Sequence, residues 1–392
     1  MNEKNAFSLL SQEIIEKLSE QNISKPSNVQ NEVIPLINEG KNLIFQSETG
    51  TGKTYAYLLP LINKLQQDSE TQKLKILILA PTFELASQIN TAAKAITNRK
   101  TALIIGGAPI KRQLELLKEK PQIITGTTAR IIELIRLKKI KLNDLSACIF
   151  DECDRMIKKE AYDDTYELKS LLPQNTQIIA LSATISPSVK KFFNGIDSLI
   201  MPDEDILQKN ISHWAIFAER RDKIETLRKF LAAEKCTKAL VFTSRADQVE
   251  NIYSKLSFKK VPCIALHAKA KKQERKAAID KFRSGKINVM ITSDLCARGL
   301  DIPNISHVIQ MDIPTDDDFF IHRSGRTGRA GKTGINLVIG DEFEMRQYAA
   351  LEKKLGLIVY PKELYNGKVV APQVFDEEDF ISDTREYDFN KV

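Results

Sequence analysis

Short apolar runs alternate with longer helical patterns along most of the chain. Each run is rich in Ile, Leu or Val and is bounded by polar or glycine residues, which is typical of a buried strand. Strands that alternate with helices indicate βαβ units and parallel sheets. The pattern therefore predicts an α/β fold built from two series of such units. The runs lie at 42–46, 76–81, 102–106, 122–126, 148–152 and 177–183, and then at 238–244, 263–268, 288–293, 306–312 and 334–340.

The interval between the two series predicts a domain boundary. A chain of 392 residues is longer than one ordinary core supports, and a charged stretch after Pro202 interrupts the strand pattern. We predict two tandem domains at 1–205 and 213–355, each a mostly parallel sheet flanked by helices. A linker at 206–212 would join them, and a short, irregular extension at 356–392 would pack back on the second domain.

Composition narrows the class of protein. The content of 42% hydrophobic and 28% charged residues is typical of a soluble globular chain. No apolar run approaches the roughly 18 residues that cross a bilayer, and the N-terminus lacks an apolar signal core. The five cysteines form no CxxC pair, which argues against a disulfide framework or a structural zinc site. We therefore expect a cytoplasmic protein with no membrane contact.

The net charge of +7 is unevenly distributed. Residues 94–141 contain twelve Lys or Arg and three Asp or Glu, and residues 259–286 contain ten and two. Residues 373–392 are acidic instead, with seven Asp or Glu and two Lys or Arg. Two basic segments in separate halves favour a polyanionic ligand that contacts both. Lysine-rich helix faces are also ordinary solvated surface, so charge alone leaves both interpretations open.

A glycine-rich segment follows the first predicted strand and precedes a helical pattern. Its glycines would let backbone N–H groups face phosphate oxygens, and the helix would add the positive end of its dipole. Lys53 would reach the β- and γ-phosphates of a nucleotide, and the Thr54 hydroxyl would bind Mg²⁺. A glycine-rich turn without a ligand is the alternative. The candidate nucleotide-binding residues are Ser47, Glu48, Thr49, Gly50, Thr51, Gly52, Lys53 and Thr54.

The strand predicted at 148–152 ends in a pair of carboxylates. Asp151 would help hold the Mg²⁺ ion by binding its water shell, and Glu152 would orient and deprotonate an attacking water. Such a pair means little alone, but together with Lys53 and Thr54 it predicts a nucleotide-hydrolysis site.

A cluster of arginines and glycines, HRSGRTGR, occupies residues 322–329 in the second half. Arg326 and Arg329 are three residues apart and could both face a γ-phosphate. As arginine fingers they would complete the hydrolysis site only when the two domains close. A basic loop for a phosphodiester backbone is the alternative.

Together, these motifs resemble those of the DEAD-box ATP-dependent RNA helicases, in which DECD is a known spelling of the family box. The resemblance implies two tandem RecA-like domains, ATP and Mg²⁺ as cofactors, and RNA as the partner. The matching motifs occur in family order between residues 7 and 335: KPSNVQ (25–30), SETGTGKT (47–54), PTFELA (81–86), GG (106–107), TTAR (127–130), DECD (151–154), SAT (182–184), VFTS (241–244), SDLCARGLD (293–301) and HRSGRTGR (322–329).

The resemblance also implies roles for individual residues. Gln30 would contact the adenine edge, Phe7 would stack on the base, and Asp301 would approach the ribose. Hydrogen bonds across the interdomain cleft would couple hydrolysis to closure, through Asp154, Ser182, Thr184 and His322. RNA backbone contacts are expected from Thr82, Gly107, Thr127 and Arg130 in the first domain and from Arg245, Ser293 and Arg298 in the second.

The implied activity is RNA-stimulated ATP hydrolysis coupled to local, non-processive duplex unwinding or ribonucleoprotein remodelling. Backbone contacts carry little sequence information, so a loose sequence preference is expected. We expect a monomer that works with ribonucleoprotein or ribosome-assembly partners. Two alternatives remain open: a non-enzymatic RNA clamp, and a DNA helicase or translocase of a related family. A clamp would predict loss of Lys53, Glu152 or Arg326, and all three are present.

Two departures from the family pattern lie on the expected RNA surface of the first domain. Phe83 replaces the usual arginine in PTFELA, and Thr128 and Ala129 replace the usual Pro-Gly in TTAR. The features that cleave ATP are unchanged. We therefore hypothesise a competent ATPase whose RNA contacts are weakened or altered.

Overall fold

Two parallel sheets, each flanked by helices, form the framework of the protein. The computed structural model describes residues 5–46, 52–68, 72–182, 185–200, 210–267, 272–294, 302–328 and 332–372. Within these ranges each sheet has seven strands, and the strand pairs in both sheets are parallel. The predicted architecture of two α/β domains is confirmed.

The first domain starts with a 3₁₀ turn and alternates helices with strands. Its elements are the turn Ala6–Leu9, α1 (Gln12–Glu20), α2 (Asn28–Asn38), β1 (Leu43–Gln46), α3 (Lys53–Gln67), β2 (Ile76–Leu79), α4 (Phe83–Ile96), β3 (Thr101–Ile104), α5 (Ile110–Lys118), β4 (Ile123–Gly126), α6 (Thr128–Arg136), β5 (Ala147–Asp151), α7 (Cys153–Met156), α8 (Tyr162–Ser170), β6 (Gln177–Ser182), α9 (Pro187–Phe192) and β7 (Asp197–Ile200).

The second domain repeats this alternation and ends in a small hairpin. Its elements are β8 (Ile211–Phe217), α10 (Lys223–Ala233), β9 (Ala239–Thr243), α11 (Ala246–Phe258), β10 (Ile264–Leu266), α12 (Lys272–Arg283), β11 (Val289–Ser293), β12 (His307–Gln310), α13 (Asp317–Ser324), β13 (Gly334–Gly340), α14 (Glu342–Leu355), β14 (Val359–Pro361), β15 (Glu363–Tyr365) and β16 (Lys368–Val370).

The apolar strands bury both faces of each sheet, as parallel sheets require. Every residue of β5 is buried. Ile149 of this strand belongs to one core cluster, and Cys148 and Phe150 belong to another. Successive side chains of a strand point to opposite faces, so the two clusters cover the two sides of the sheet. The same strand carries Asp151 at its end, and its side chain is fully buried.

The strand order is the same in both sheets. Numbered within each domain from its first strand, both sheets run 3-4-2-5-6-1-7. In a parallel sheet the carboxyl ends of the strands lie along one edge, and ligands bind where the following loops meet. The fold therefore brings the carboxyl ends of β1, β5 and β6 together in the first domain.

All of the strands predicted from apolar runs are present, and three further sheet strands were not predicted. These are β7, β8 and β14. β8 starts at Ile211, inside the stretch expected to be a linker, and pairs with β13 along its whole length. The second sheet therefore begins before the predicted boundary at residue 213.

The chain after residue 355 is not irregular over 359–370. β14 pairs with β8 and completes the second sheet, while β15 and β16 form an antiparallel pair that contacts α10. The predicted irregular conformation is wrong for this stretch, which lies against the second domain. Residues 373–392 lie outside the described part of the chain.

None of the helices in the described ranges combines the length and the apolarity that crossing a membrane requires.

Candidate active site

The predicted phosphate loop lies between β1 and α3, in the arrangement of strand, glycine and helix that the motif requires. Gly52 has a φ of 86° and immediately precedes α3. A Cβ atom at this position would lie 2.6 Å from Nε2 of Gln30, so both the backbone conformation and the close approach require glycine. Lys53 is the first residue of the helix, where the dipole favours an anion. Ser47, Glu48, Thr49, Gly50 and Thr51 lie outside the described residues.

Gln30 connects α2 to the phosphate loop. Its Nε2 donates to the carbonyl oxygen of Gly52 at 3.0 Å, and its Oε1 accepts from the backbone N–H of Ser27 at 2.9 Å. The side chain is buried. A contact with adenine stays a prediction, and this amide is already held beside the loop that would carry the phosphates.

Asp151 and Lys53 each present a buried polar atom to the same site. Oδ2 of Asp151 accepts a 2.9 Å hydrogen bond from the Tyr57 hydroxyl. Oδ1 of Asp151 and Nζ of Lys53 have no hydrogen-bond partner within the described ranges. Burial raises the pKa of Asp151 to about 6, although Lys53 acts in the opposite direction. Buried atoms without partners are costly, so this pair indicates a site built to receive a ligand.

Tyr57 also interacts with Thr54. Burial raises the pKa of Tyr57 and the charge of Asp151 acts in the same direction, whereas a hydrogen bond with the Thr54 side chain acts against both. The Tyr57 hydroxyl therefore lies between the two side chains predicted to hold Mg²⁺. Neither the tyrosine nor this bridge was predicted from the sequence, although Thr54 and Tyr57 are three residues apart on one helical face.

The oxygens in this site fit a hard cation. Mg²⁺ prefers oxygen ligands and is usually bound by one or two protein groups together with phosphate and water. Asp151 and Thr54 provide such oxygens, and Oδ1 of Asp151 has no hydrogen-bond partner among the described residues. No cluster of three or more His, Cys, Asp or Glu residues suited to a metal occurs among the residues that the structure describes.

Glu152 follows β5 with a φ of 54°, in the left-handed region that is unusual for glutamate. Its carboxylate pairs with the guanidinium of Arg155 at 2.9 Å, and both side chains are buried. The ion pair fixes the direction of the carboxylate next to Asp151. Arg155 was not predicted as a site residue, although its spacing of three from Glu152 on a helical turn could have suggested it.

Asp154 and Ser182 meet at the ends of β5 and β6. The Ser182 hydroxyl donates to Oδ1 of Asp154 at 2.6 Å. Burial raises the pKa of Asp154, and the Ser182 hydrogen bond lowers it in part. This bond joins two neighbouring strand ends of the first domain, and the predicted hydrogen bonds across the interdomain cleft stay a prediction. Thr184 lies outside the described residues.

The helix α13 of the second domain lies close to this cluster. The charge of Asp318, near its start, contributes to the raised pKa of Asp154. Nζ of Lys158 lies 3.1 Å from Oδ2 of Asp316 and 5.7 Å from the centre of the Phe319 ring. The same helix carries His322, which is buried. Its predicted role between the domains stays a prediction.

A second ion pair joins the two domains at α4 of the first domain. Arg275 of α12 binds Glu84 at 2.7 Å, and both side chains are largely buried. Glu84 is adjacent to Phe83, the residue that departs from the family pattern. Phe83 is partly buried against the first core cluster.

Arg323 organises the loops of the second domain. Its guanidinium binds both carboxylate oxygens of Asp294 at 2.6 Å and contacts Asp312 and Ser244 at 3.1 and 2.8 Å. Burial acts to raise the pKa of Asp312, but Arg323 and neighbouring hydrogen bonds hold it below its ordinary value. Sequence reasoning assigned no role to Arg323. Asp294, directly after β11, and Asp312, two residues after the end of β12, could have suggested a buried cation between them.

Arg326 follows α13 and is buried. It lines a cavity of about 570 Å³ together with Asn304, Ser306 and Lys332. Its role as an arginine finger stays a prediction. Arg329, Asp301 and Arg298 lie outside the described residues.

The predicted RNA residues of the first domain lie in three loops at one sheet edge or, for Arg130, in the first turn of the helix that follows one of them. Thr82 caps α4 by accepting from the Leu85 N–H at 3.2 Å. The backbone N–H of Gly106 donates to the Thr127 hydroxyl at 3.2 Å, and Arg130 donates to the Ala108 carbonyl at 3.2 Å. These bonds tie the loop after β3, where Gly107 has a φ of 72°, to the loop after β4. Strands β3, β4 and β2 are neighbours, so the structure brings these candidates together.

In the second domain, Arg245 lies two residues after the end of β9, and Ser293 is the last residue of β11. These two strands are neighbours in the sheet. Arg245 is exposed and pairs with Asp247 at 2.7 Å. Ser293 is buried. Phe7 is buried in the first core cluster, so the structure does not present it as an open surface for a base.

Two parallel α/β domains, a glycine-initiated helix carrying Lys53 and Thr54, and a buried carboxylate pair at a strand end define a phosphate-loop nucleotide hydrolase. Comparisons with known proteins identify the group within this class. The chain matches the family model described as DEAD/DEAH box helicase over residues 27–192 and the one described as Helicase conserved C-terminal domain over residues 222–331. The chain belongs to the DEAD-box family of ATP-dependent RNA helicases.

Individual relatives are similar over most of their length. The DEAD-box ATP-dependent RNA helicase CshC of Bacillus cereus is 36% identical over 348 residues, which cover 87% of this chain and 89% of CshC. The probable ATP-dependent RNA helicase YfmL of Bacillus subtilis is 34% identical over 88% of this chain and 93% of YfmL. The solved structure of S. cerevisiae Dbp5 bound to RNA and ADP BeF3 matches with a TM-score of 0.82 at 28% identity, over 92% of this chain and 96% of Dbp5.

Proposed function

We propose that this helicase is an RNA-stimulated, Mg²⁺-dependent ATPase that unwinds short RNA duplexes locally or remodels ribonucleoprotein, without processive movement. The observation that carries the proposal is the pair of buried atoms without hydrogen-bond partners in the described ranges, Nζ of Lys53 and Oδ1 of Asp151. They lie beside the start of α3, where an anion is favoured. Opposite charges held in this way suit a phosphate and its cation.

Nucleotide binding would use residues from three elements. Lys53 would neutralise the β- and γ-phosphates, and residues 47–52 would surround them with backbone N–H groups. Thr54 and Asp151 would hold Mg²⁺, which when bound offsets phosphate charge. Gln30 would contact the adenine, and Asp301 the ribose.

Hydrolysis would use Glu152 as the general base. The carboxylate, directed by Arg155, would accept a proton from water as the water oxygen bonds to the γ-phosphorus. The bond from that phosphorus to the ADP oxygen breaks in the same displacement. Arg326 and Arg329 would stabilise the charge on the transferred phosphoryl group from the second domain.

Coupling between hydrolysis and domain closure would run through the cluster at Asp154. Ser182 already binds Asp154, and Asp318 of α13 lies within electrostatic range. Thr184 and His322 would join this cluster when the domains close around the nucleotide. Loss of the γ-phosphate would then be communicated to the second domain.

RNA would lie along the loops at the carboxyl ends of both sheets. The RNA in the Dbp5 complex and the names of the bacterial relatives support this partner. We propose backbone contacts from Thr82, Gly107, Thr127 and Arg130, and from Arg245, Ser293 and Arg298. Such contacts position a strand without reading its sequence, so a loose sequence preference follows.

The cellular setting that we propose is the cytoplasm, with the protein acting as a monomer on ribonucleoprotein or ribosome-assembly substrates. The cysteines in the described ranges, Cys148, Cys153, Cys236 and Cys263, are free thiols, which suits a reducing compartment. Two complete α/β domains in one chain support a monomer, because both halves of the proposed site come from the same molecule.

The test is steady-state ATP hydrolysis with and without single-stranded RNA. We expect RNA to stimulate turnover, Glu152→Gln to abolish it, and single-stranded DNA to compete poorly. RNA binding without ATP turnover would contradict the proposed ATPase activity and favour the non-enzymatic RNA clamp. Equal stimulation by DNA would favour a DNA helicase or translocase.

A further inference from the structure

A groove between α10 and α11 has no role in the nucleotide or RNA sites. It encloses about 420 Å³ and is lined by Ile224 of α10 and by Leu256 and Phe258 of α11. Phe258 is 83% exposed, more than any other large apolar side chain in the described ranges. A lone exposed aromatic is ordinary, but an aromatic at the mouth of an apolar groove is typical of a docking surface.

The rim of this groove is positively charged. Arg228 is paired with Glu225 at 2.7 Å, so its charge is already balanced. Lys255 and Lys259 also line the groove. Lys255 lies in the last turn of α11, and Lys259 follows the helix as its C-cap. Neither lysine forms an ion pair with another described residue, although the charge of Lys259 contributes to the lowered pKa of Glu225. The groove is therefore suited to a segment that combines an apolar side chain with acidic neighbours.

The chain contains such a segment directly after the last described strand. Residues 373–392 hold seven acidic and two basic residues, and Phe375 and Phe380 flank the run Asp-Glu-Glu-Asp. The hairpin of β15 and β16, which precedes this segment, contacts α10, one of the two helices that form the groove. Twenty extended residues span up to roughly 65 Å. The segment therefore follows a hairpin that contacts α10, and it is long enough to reach the groove.

We propose that residues 373–392 dock in the groove between α10 and α11, with an aromatic side chain against Phe258 and carboxylates against Lys255 and Lys259. The contact would cover the exposed apolar surface and fold the acidic segment onto the second domain. It is independent of ATP hydrolysis, so it stands or falls separately from the proposed function.

The test uses the full-length chain with the photo-crosslinking residue p-benzoylphenylalanine in place of Phe258. The matched control carries the same residue in place of Phe343 on α14, which is 68% exposed. Both positions are exposed, so neither replacement removes a buried side chain. After irradiation, crosslinked peptides are identified by mass spectrometry. We expect intramolecular crosslinks from position 258, but not from position 343, to residues 373–392.

Two further measurements test the proposed chemistry. Lys255→Glu with Lys259→Glu should lower the crosslink yield at least about fivefold, and so should an increase of salt from 0.05 to about 1 M, since screening weakens exposed charge pairs. Phe375→Ser with Phe380→Ser should lower it as well. Crosslinks from position 258 to a second copy, to another protein or to no part of 373–392 would overturn the proposal, as would a yield that these variants leave unchanged.

Discussion

The Tyr57 hydroxyl lies between Thr54 and Asp151, the two side chains proposed to hold Mg²⁺. Groups that orient a metal ligand without touching the metal commonly change affinity by about 10- to 100-fold when removed. A phenylalanine would keep the ring in the core and remove only the hydroxyl. This substitution therefore tests the orientation of the Asp151 carboxylate without changing the packing of the ring.

We predict that Tyr57→Phe raises the Mg²⁺ concentration for half-maximal ATP binding by about tenfold. A fluorescent ATP analogue titrated with Mg²⁺ measures this shift, with nucleotide binding in EDTA as a baseline. Tyr55→Phe is the matched control, since its hydroxyl binds Gln21 at 2.5 Å, away from the carboxylates. Identical Mg²⁺ dependence in the two variants would contradict the role given to Tyr57.

Phe83 gives a second residue-scale prediction. Phe83→Arg adds a guanidinium at the start of α4, so RNA should bind a few-fold more tightly at low salt. The slope of log affinity against log salt should steepen by about 0.7 for single-stranded RNA. Phe83→Met controls for the loss of the ring from the core. No tightening in the arginine variant, or the same change in both, would count against a weakened RNA contact.

His307 makes the second domain sensitive to acid. Burial lowers its pKa to about 4 from the ordinary 6.5, and Glu234, 3.9 Å away, does not reverse this effect. Between pH 4 and pH 6.5, His307 is protonated in the unfolded chain and neutral in the folded chain. Stability is therefore complete above about pH 6.5 and is lost as the pH falls toward 4, by at most about 3 kcal/mol.

His307→Gln should reduce the loss of stability between pH 7.5 and 5.0, because glutamine does not titrate. Urea unfolding at both pH values measures the difference. His267→Gln, at a more exposed histidine paired with Glu250, is the control. An equal loss of stability in the wild-type chain and His307→Gln would refute the assignment.

At the scale of elements, the contact between α13 and the residues after α7 is the clearest link between the domains. Lys158 pairs with Asp316 and lies over Phe319. An exposed ion pair of this kind contributes about 0.2–1 kcal/mol. That is small for folding but enough to shift an equilibrium between open and closed domains several-fold.

We predict that Lys158→Glu lowers RNA-stimulated ATPase activity about three- to fivefold, as the repulsion with Asp316 disfavours closure. The double variant Lys158→Glu, Asp316→Lys should recover most of the loss. Steady-state hydrolysis at low and high salt measures both. A double variant no more active than the single one would mean that the pair does not stabilise the active arrangement.

Sequence patterns predicted strands well where an apolar run was continuous and failed where buried polar residues interrupted it. β8 has the sequence ISHWAIF, and His213 within it is buried at 1% exposure, bonded to Asn336 at 3.1 Å. A polar pair satisfied inside the core looks like a loop in the sequence.

The site residues also divide into those that a local sequence pattern predicts and those that it does not. Lys53, Thr54, Asp151 and Glu152 could be proposed from the sequence because a strand, a glycine turn and a helix place them by local rules. The partners Tyr57, Arg155 and Arg323 act through the side chains they bind, and most of those bonds form only after distant strands meet. Arg323 binds aspartates 29 and 11 residues away in the chain, a pairing that no local pattern encodes.

At the scale of the molecule, the proposed reaction needs both domains. Arg326 belongs to the second domain, whereas the carboxylates and the phosphate loop belong to the first. Binding of ATP by the first domain and its hydrolysis should therefore be separable by mutation. Arginine fingers typically contribute about 10³–10⁵ to turnover.

We predict that Arg326→Ala lowers RNA-stimulated hydrolysis by about 10³-fold and leaves nucleotide binding within about twofold. Single-turnover hydrolysis and equilibrium nucleotide binding measure the two effects. Arg346→Ala, at an exposed arginine of α14 paired with Glu342, is the control. A parallel loss of binding and turnover would instead indicate a structural role for Arg326.

In the proposed mode of RNA binding, the identical order of strands would make the molecule bivalent toward a polymer. Because β2 and β9 occupy the same position in their sheets, the loops that carry Thr82 and Arg245 are counterparts, and Thr127 and Ser293 correspond in the same way at the ends of β4 and β11. The two proposed half-sites on one chain would hold a single strand with an avidity set by their effective concentration. A change in the angle between the halves would then release the strand without altering any contact within either half.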